Sequence, residues 1–218
     1  MSALLKKEFT LCLHPTAIIF LSLACLVFVP NYPYEVIFFF AGLSVFFTCL
    51  SARENGDPAF SCCLPVRKSA VPLARILMTV ILQGVLLLIT AGMIVIKELS
   101  FPPDLQVNLA GNAANLALLG SGAAVLGVFN ALFFPMHYKN PEKVGVPFVI
   151  ACTAVFVLIG LFITLRWTVP FFSETIQTQD PANLGAKAAV LAVGLCLYAA
   201  GTLLAARLSM KRFEKVDF

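Results

Sequence analysis

Six long runs of apolar residues divide the chain, and short polar segments separate them. Each run is long enough to cross a lipid bilayer as a helix of about 20 residues. We predict membrane spans near residues 15–32, 34–51, 76–96, 115–136, 144–165 and 184–208. The pattern therefore predicts an all-α membrane protein with six transmembrane helices. Residues 15–218 are long enough for one such domain and leave almost no room for a second, soluble one.

Residues 1–14 precede the first span, and their pattern predicts an amphipathic helix on the membrane surface. Lys6 and Lys7 share one polar face when successive residues are rotated by about 100°, and Leu and Phe side chains cover most of the remainder. Glu8 falls inside the apolar arc, where it either pairs with a basic residue or meets another subunit or a cytoplasmic partner. Pro15 suits the first turn of the next helix, so we expect the chain to bend there.

The composition supports a membrane protein, because 60% of the 218 residues are hydrophobic and only 12% are charged. Soluble domains are nearer half apolar and a quarter charged. With six spans, 12 of the 15 Lys and Arg residues lie on the side that holds both termini, and Lys97, Arg166 and Lys187 lie on the other. The positive-inside rule then places both termini in the cytoplasm. The net charge of +4 reflects this orientation, so we expect no nucleic-acid partner.

A charged elbow, residues 52–75, separates the second and third predicted spans on the cytoplasmic side. Asp57 can cap a short helix whose first residue is Pro58. This helix should end by Leu64, because Pro65 disfavours helical geometry in the residue before it.

A second helix of the elbow should run into the membrane. Ser69 can cap it, and Pro72 is tolerated in its first turn. The helix would continue through Arg75 into the third span. Together the two helices predict a rigid, bent element that can transmit a push from the cytoplasm into the membrane.

Five residues of the fourth predicted span have two open interpretations. Gly120, Gly122 and Gly127 are small enough to let helices approach closely in lipid. Asn115 and Asn130 are polar groups that must find hydrogen-bond partners within the bilayer. Helix packing explains all five, and a substrate path is the alternative.

Several kinds of chemistry are absent from the sequence. It contains no G-x-x-x-x-G-K-[ST] motif for binding nucleotide phosphates. No Asp or Glu falls in the middle of a predicted span, where ion-coupled carriers commonly need an acid. The seven cysteines include no C-x-x-C pair, so we predict no metal site. We therefore expect a chain that is not itself an enzyme and holds no cofactor.

Four features together resemble the permease subunit of bacterial ABC-2 type transporters, in the small six-span branch. The first is the surface helix Leu4-Leu5-Lys6-Lys7-Glu8, and the second is the elbow pattern Glu54-x-x-Asp57-x-x-Phe60, followed by Leu64-Pro65-Val66-Arg67-Lys68 and Ala74-Arg75-Ile76-Leu77. The third is the end of the fourth span, Phe134-Pro135-Met136-His137-Tyr138-Lys139. The fourth is the six-span topology. The resemblance extends over essentially the whole chain. It implies a multi-pass protein of the bacterial cell membrane.

The resemblance also implies partners. Two copies of a cytoplasmic ATPase, which bind Mg-ATP, would dock on the elbows of two permeases, most simply a homodimer surrounded by membrane lipid. The implied ATPase-coupling residues are Glu54, Asp57, Phe60, Leu64, Pro65, Arg67 and Lys68. Phe60 and Leu64 would enter a groove on the ATPase, and the charged residues would fix its orientation. A further contact with a partner could involve Lys6, Lys7 and Glu8.

ATP-driven closure of such an ATPase pair would expel a substrate from the cell. The small apolar bundle favours amphipathic peptides or lipid-like and drug-like molecules, and similar permeases export phenol-soluble modulins or antimicrobial peptides. Two other classes of function stay open. One is an ATPase-independent channel or assembly factor, and the other is a secondary transporter.

Overall fold

The computed structural model describes residues 2–29, 31–100 and 112–216. In chain order its helices are α1 (Ser2–Lys7), α2 (Thr16–Leu21), α3 (Val36–Glu54), α4 (Asp57–Cys62), α5 (Ala70–Ser100), α6 (Leu116–His137), α7 (Gly145–Thr168) and α8 (Leu184–Phe213). Helix α3 and helices α5 to α8 are each long and apolar enough to cross a membrane. The protein is therefore an all-α, multi-pass membrane protein, as the sequence predicts.

The first predicted span corresponds to a shorter and less regular segment. Helix α1 continues as a π-helical turn, Glu8–Cys12, and α2 continues as a 3₁₀-helix, Ser22–Phe28. The two halves, Ser2–Cys12 and Thr16–Phe28, meet at an angle of 92°, which confirms the bend expected at Pro15. The second half is shorter than the roughly 17–25 residues of a typical span. Within the part of the chain that the structure describes, the bundle thus has five clear spans, or six if this bent pair is counted as one.

Helix α5 is continuous from the elbow to the far side of the bundle. Its 31 residues extend about 47 Å at about 1.5 Å per residue, whereas the hydrocarbon core of a bilayer is about 30 Å thick. The helix begins at Ala70, directly after the predicted cap Ser69. Arg75 lies in its second turn, so the last part of the elbow and the membrane span form one continuous helix.

The N-terminal helix and the residues just after α8 both lie at the elbow end of the bundle, which we define as the end formed by residues 52–75. The ammonium of Lys7 donates to the Ser61 hydroxyl at 2.6 Å. Near the other terminus, Lys68 donates to the carbonyl oxygen of Val216 at 3.1 Å. That this end faces the cytoplasm stays a prediction from the distribution of Lys and Arg.

Helices α6 and α8 make the most extensive contact in the bundle, and glycines allow it. Gly120 and Gly127 of α6 lie against Gly194 and Gly201 of α8, with the same seven-residue spacing on both helices. A Cβ atom added at Gly120 would lie 2.5 Å from the carbonyl oxygen of Val190. The two backbones therefore touch directly, as in small-residue interfaces of other membrane helices.

We expect Gly120→Val to separate α6 from α8 and to lower the free energy of unfolding by about 1–3 kcal/mol, the usual cost of overpacking. Thermal unfolding in detergent or nanodiscs measures this change. Gly160→Val in α7 is the matched control, because a Cβ atom there meets nothing within 4 Å and the helix-propensity cost of Val is the same. An equal loss of stability in the two variants would contradict the proposed packing.

Candidate functional site

The elbow is built around the short helix α4, whose start differs from the prediction. The helix begins at Asp57 rather than at Pro58, and Gly56 precedes it in a left-handed conformation with φ of 63°. The expected capping by Asp57 is wrong, because its carboxylate turns instead toward two cations, Lys7 and Arg75. Such a cap contributes about 0.5–2 kcal/mol, whereas leaving a buried charge unpaired costs about 3–5 kcal/mol.

Two carboxylates and two cations form an elbow ion-pair cluster, which consists of Lys7, Glu8, Asp57 and Arg75. Arg75 Nε lies 2.6 Å from Glu8 Oε2, and Arg75 Nη2 lies 2.9 Å from Asp57 Oδ2. Lys7 Nζ lies 2.7 Å from Asp57 Oδ1 and 3.2 Å from Glu8 Oε1. Each cation therefore meets both carboxylates, and the cluster joins the N-terminal helix, α4 and α5.

Asp57 and Lys7 keep their charges although both are largely withdrawn from water. Burial alone would raise the pKa of Asp57, but the charge of Arg75 and the hydrogen bond from Lys7 hold it below its usual value. Burial alone would lower the pKa of Lys7, and the hydrogen bond to Asp57 and the charge of Glu8 raise it instead. Both groups are therefore charged at neutral pH, and the three elements are held together by ion pairs.

The sequence pattern predicts no role for Arg75, yet this arginine is the centre of the cluster. Its side chain is 4% exposed. Glu8, which the sequence places in an apolar arc, is 0% exposed and pairs with this arginine 67 residues away. The sequence feature that could have indicated this pair is the arginine itself, because an arginine at the start of a membrane helix requires an acidic partner. Of the three proposed N-terminal contact residues, Lys6 is the exposed one, and a partner contact there stays a prediction.

The other face of the elbow is open to solvent. Phe60 is 59% exposed, a large value for an aromatic side chain, and Val66 is also exposed. Glu54, Pro65 and Arg67 are exposed around it, while Leu64 and Lys68 are half-buried. The predicted coupling residues therefore divide into an inward anchor, Asp57, and an outward apolar and charged surface.

Asn115 does not lie inside the fourth span as predicted, because α6 begins one residue after it. Its side-chain oxygen caps the helix by accepting from the backbone N–H groups of Ala117 and Leu118, at 3.0 and 3.3 Å. Its amide nitrogen donates to the carbonyl oxygens of Ile176 and Thr178, at 2.6 and 2.9 Å. Asn115 thus holds the segment after α7 against the start of α6.

Asn130 lies at the middle of the bundle within a buried polar network. Its amide exchanges two hydrogen bonds with Gln83 of α5, at 3.0 and 2.9 Å. Asn130 also donates to Thr202 at 3.1 Å, and the Tyr198 hydroxyl donates to Gln83 at 3.0 Å. The sequence pattern did not single out Gln83, although two amides in neighbouring spans must each find a partner in lipid.

Gly122 has a packing position as well. A Cβ atom there would collide with the ring of Phe38 in α3. With Gly120 and Gly127 against α8, all three glycines of the fourth span therefore lie at helix–helix contacts. The structure gives these residues and Asn130 positions inside the protein packing, and a substrate path through them stays untested.

A metal ion does not suit the one three-residue group of potential ligands found among the described residues. Ligand atoms of Glu8, Cys12 and Asp57 lie within 4.8 Å of one another. Both carboxylates already face Arg75 and Lys7, and burial raises the pKa of the Cys12 thiol to about 12. A metal would have to displace two cations and deprotonate this thiol.

These features define a polytopic membrane protein with a rigid, partly exposed element at one end of its helices. Residues 3–210 match the sequence model of the ABC-2 family transporter proteins. Because the match covers nearly the whole chain, the protein belongs to the ABC-2 transporter family and is its membrane-embedded permease. The bacterial inner membrane is the usual setting of this family. Searches of curated proteins and of solved structures found no match.

We expect Arg75→Gln to lower the free energy of unfolding by about 3–5 kcal/mol, because Glu8 and Asp57 then stay buried without their main cation. Denaturant or thermal unfolding of the purified protein measures the loss. Arg67→Gln, at an exposed arginine of the same elbow, should change little. Adding Glu8→Gln to Arg75→Gln should restore part of the lost stability. A double variant that is less stable than Arg75→Gln alone would contradict the ion pair between Glu8 and Arg75.

Proposed function

We propose that this chain is the permease subunit of an ATP-driven exporter whose power comes from a separate cytoplasmic ATPase that docks on the elbow. Membership of the ABC-2 family supports transport across the membrane. The observation that carries the ATPase proposal is the exposed Phe60 on a helix anchored by the elbow ion-pair cluster. The protein thus presents an apolar residue to solvent on a part that is fixed to the membrane bundle.

The outward surface of the elbow suits a protein partner. An exposed aromatic side chain on a rigid support is typical of residues that dominate binding energy at interfaces. In our proposal Phe60 enters a groove on the ATPase and Leu64 packs beside it. Exposed Glu54 and Arg67 and half-buried Lys68 lie around them, where charges mainly set orientation and association rate. The Leu64-Pro65 corner shapes this surface.

Asp57 has a different part in this proposal from the surface residues. Its carboxylate faces Arg75 at 2.9 Å and Lys7 at 2.7 Å, so it anchors α4 and does not touch the ATPase. When the ATPase moves α4, the ion pair to Arg75 moves α5, which is continuous to Ser100. The pair between Arg75 and Glu8 moves the N-terminal helix with it.

In the complete exporter, two permeases and two ATPases would act together, with Mg-ATP bound by the ATPase subunits. Closure of the ATPase pair would then rock the helices and release cargo outward. The apolar character of the bundle and the mutual pairing of its buried amides, Gln83 with Asn130, favour amphipathic peptides or lipid-like and drug-like cargo. Such molecules present apolar surface that a membrane protein of this size can accommodate.

We expect Phe60→Asp to abolish copurification with the proposed P-loop ATPase subunit, since a charge cannot replace the ring in an apolar groove. Phe60→Leu should retain binding in part. The control is Leu99→Asp, at an apolar residue 82% exposed near the opposite end of the bundle, which should copurify normally. Normal copurification of Phe60→Asp would remove the docking proposal and favour an ATPase-independent channel.

We expect Asp57→Asn to separate binding from coupling. The ATPase should still copurify, because Phe60 and its neighbours are unchanged, but the stimulation of ATP hydrolysis by the permease should fall about tenfold. This corresponds to a coupling free energy within the usual range of about 1–3 kcal/mol. ATPase activity of the reconstituted complex measures the effect, with Glu54→Gln as the exposed acidic control. If the permease with Asp57→Asn stimulates ATP hydrolysis as strongly as the unchanged protein, the ion pair between Asp57 and Arg75 does not transmit the movement of the ATPase.

A further inference from the structure

A cavity of about 390 Å³ opens at the end of the bundle opposite the elbow. It lies between α6, α7 and α8, and residues 171–177 cover part of it. The volume falls within the roughly 300–1,000 Å³ typical of small-molecule pockets. None of the residues that line it belongs to the elbow or to the proposed coupling route.

The cavity has an apolar body and a polar end. Small and aliphatic side chains of α6 and α8 form its walls, among them Leu118, Ala124, Val190 and Val193, and Phe162 of α7 adds a ring. Along α8 the lining extends over about three helical turns, or about 16 Å. The polar end contains Glu35, Asn112, Arg166 and Gln177. This gradient matches a molecule with one polar head and one apolar chain.

Arg166 is the residue that gives the polar end its chemical preference. Its side chain is only 4% exposed, and its Nη2 atom pairs with Glu35 Oε1. Its Nε and Nη1 atoms have no hydrogen-bond partner among the residues that the structure describes. The second oxygen of Glu35 accepts from the Asn112 amide at 3.2 Å. Each oxygen of the Glu35 carboxylate thus has a partner, whereas two of the three nitrogen atoms of the Arg166 guanidinium have none among the described residues.

A partly satisfied guanidinium in a cavity favours a ligand with acceptor oxygens. A buried donor without an acceptor costs about 1–3 kcal/mol, which an incoming acceptor can recover. Guanidinium groups prefer carboxylate and phosphate oxygens, because such hydrogen bonds are charge-assisted. A cationic head would instead meet the positive charge of Arg166 at close range.

We propose that this cavity binds a single-chain amphiphile with an oxyanion head. The head, a carboxylate or a phosphate, accepts from the free N–H groups of Arg166, and the chain lies between α6 and α8. This site goes beyond the proposed function, since it requires no ATPase. Its test is a binding measurement on the permease alone, so its failure is distinct from a failure of ATPase docking.

Four amphiphiles of equal chain length test the head-group preference on the full chain in phosphatidylcholine nanodiscs. Dodecanoate and dodecyl phosphate carry the two oxyanions, and dodecyltrimethylammonium and dodecanol are the cationic and neutral comparisons. We expect saturable binding of at least one anion above that of empty nanodiscs, and the stronger of the two identifies the preferred head. Equal binding of the cation or the alcohol would overturn the proposal. The absence of saturable binding would also overturn the proposal. That result is expected if a second permease covers the cavity.

Two substitutions at the polar end should change anion affinity in opposite directions. Arg166→Gln should weaken binding about tenfold or more, because the charge-assisted hydrogen bonds from the guanidinium to the head are lost. Glu35→Gln should strengthen binding by a similar factor, because it removes the carboxylate that competes for the same guanidinium. A damaged fold cannot explain tighter binding, so the second variant tests the site even if the first is unstable. Unchanged affinity in Glu35→Gln would overturn the assignment of Arg166.

A further pair of variants tests the apolar body of the cavity. Ala189 lines it and is exposed, so Ala189→Phe fills the space without entering the protein core. Ala188 is also exposed but lies outside the lining, and Ala188→Phe is the matched control on the same helix. We expect only Ala189→Phe to weaken anion binding, by about tenfold or more. Equal effects of the two variants would place the amphiphile on the outer surface of the bundle instead.

Discussion

The charge of Arg75 constrains the elbow end of this protein more than any other single group. A guanidinium at the start of a membrane helix is costly unless acidic groups meet it. Two acids do so, and both precede it in the sequence, Glu8 in the N-terminal helix and Asp57 in α4. This requirement fixes where the N-terminal helix lies and how α4 is held. It also explains why Asp57 binds cations and leaves the start of α4 to Gly56.

A second buried arginine at the opposite end provides an instructive contrast. Arg75 meets two carboxylates, whereas Arg166 meets one, and two of its nitrogen atoms have no partner among the described residues. The first arrangement uses its charge to join helices and leaves nothing for a ligand. The second joins α7 to the start of α3 through Glu35 and keeps donors beside a cavity. Similar ion pairs thus give a structural joint in one place and a potential binding site in the other.

Close packing at the centre of the bundle links these two ends. Glycines bring α6 and α8 into backbone contact, and the network of Gln83, Asn130, Tyr198 and Thr202 joins α5 to the same pair. Polar groups at this depth must be satisfied within the protein, which favours one relative position of the three helices. Helix α5 also contains Arg75, so a movement imposed at the elbow is carried directly into this core.

The family of this protein can be predicted from short sequence motifs, whose residues lie close together in the chain. Membrane spans, the bend near Pro15 and the start of α5 after Ser69 depend on residues close together in the chain, because helices are stabilised by hydrogen bonds four residues apart and by local caps and prolines. The ABC-2 resemblance extends over such local motifs, and the family match confirms it. The exposed position of Phe60 is also consistent with its predicted place on the outer face of the elbow. The sequence by itself therefore determined the class of protein, most of the helices and the location of the elbow.

Only the tertiary structure decided which polar groups meet. Glu8 and Arg75 are 67 residues apart, Gln83 and Asn130 are 47 apart, and Glu35 and Arg166 are 131 apart. No local pattern selects one such pair over another, because each depends on how the helices pack. For the same reason the sequence misassigned Asp57, whose local capping role is outweighed by Lys7 and Arg75. Asn115 differs, because it caps α6 locally and its amide also holds the segment after α7. The cavity beside Arg166 likewise exists only where three helices and a folded-back segment come together, so only their packing could reveal it.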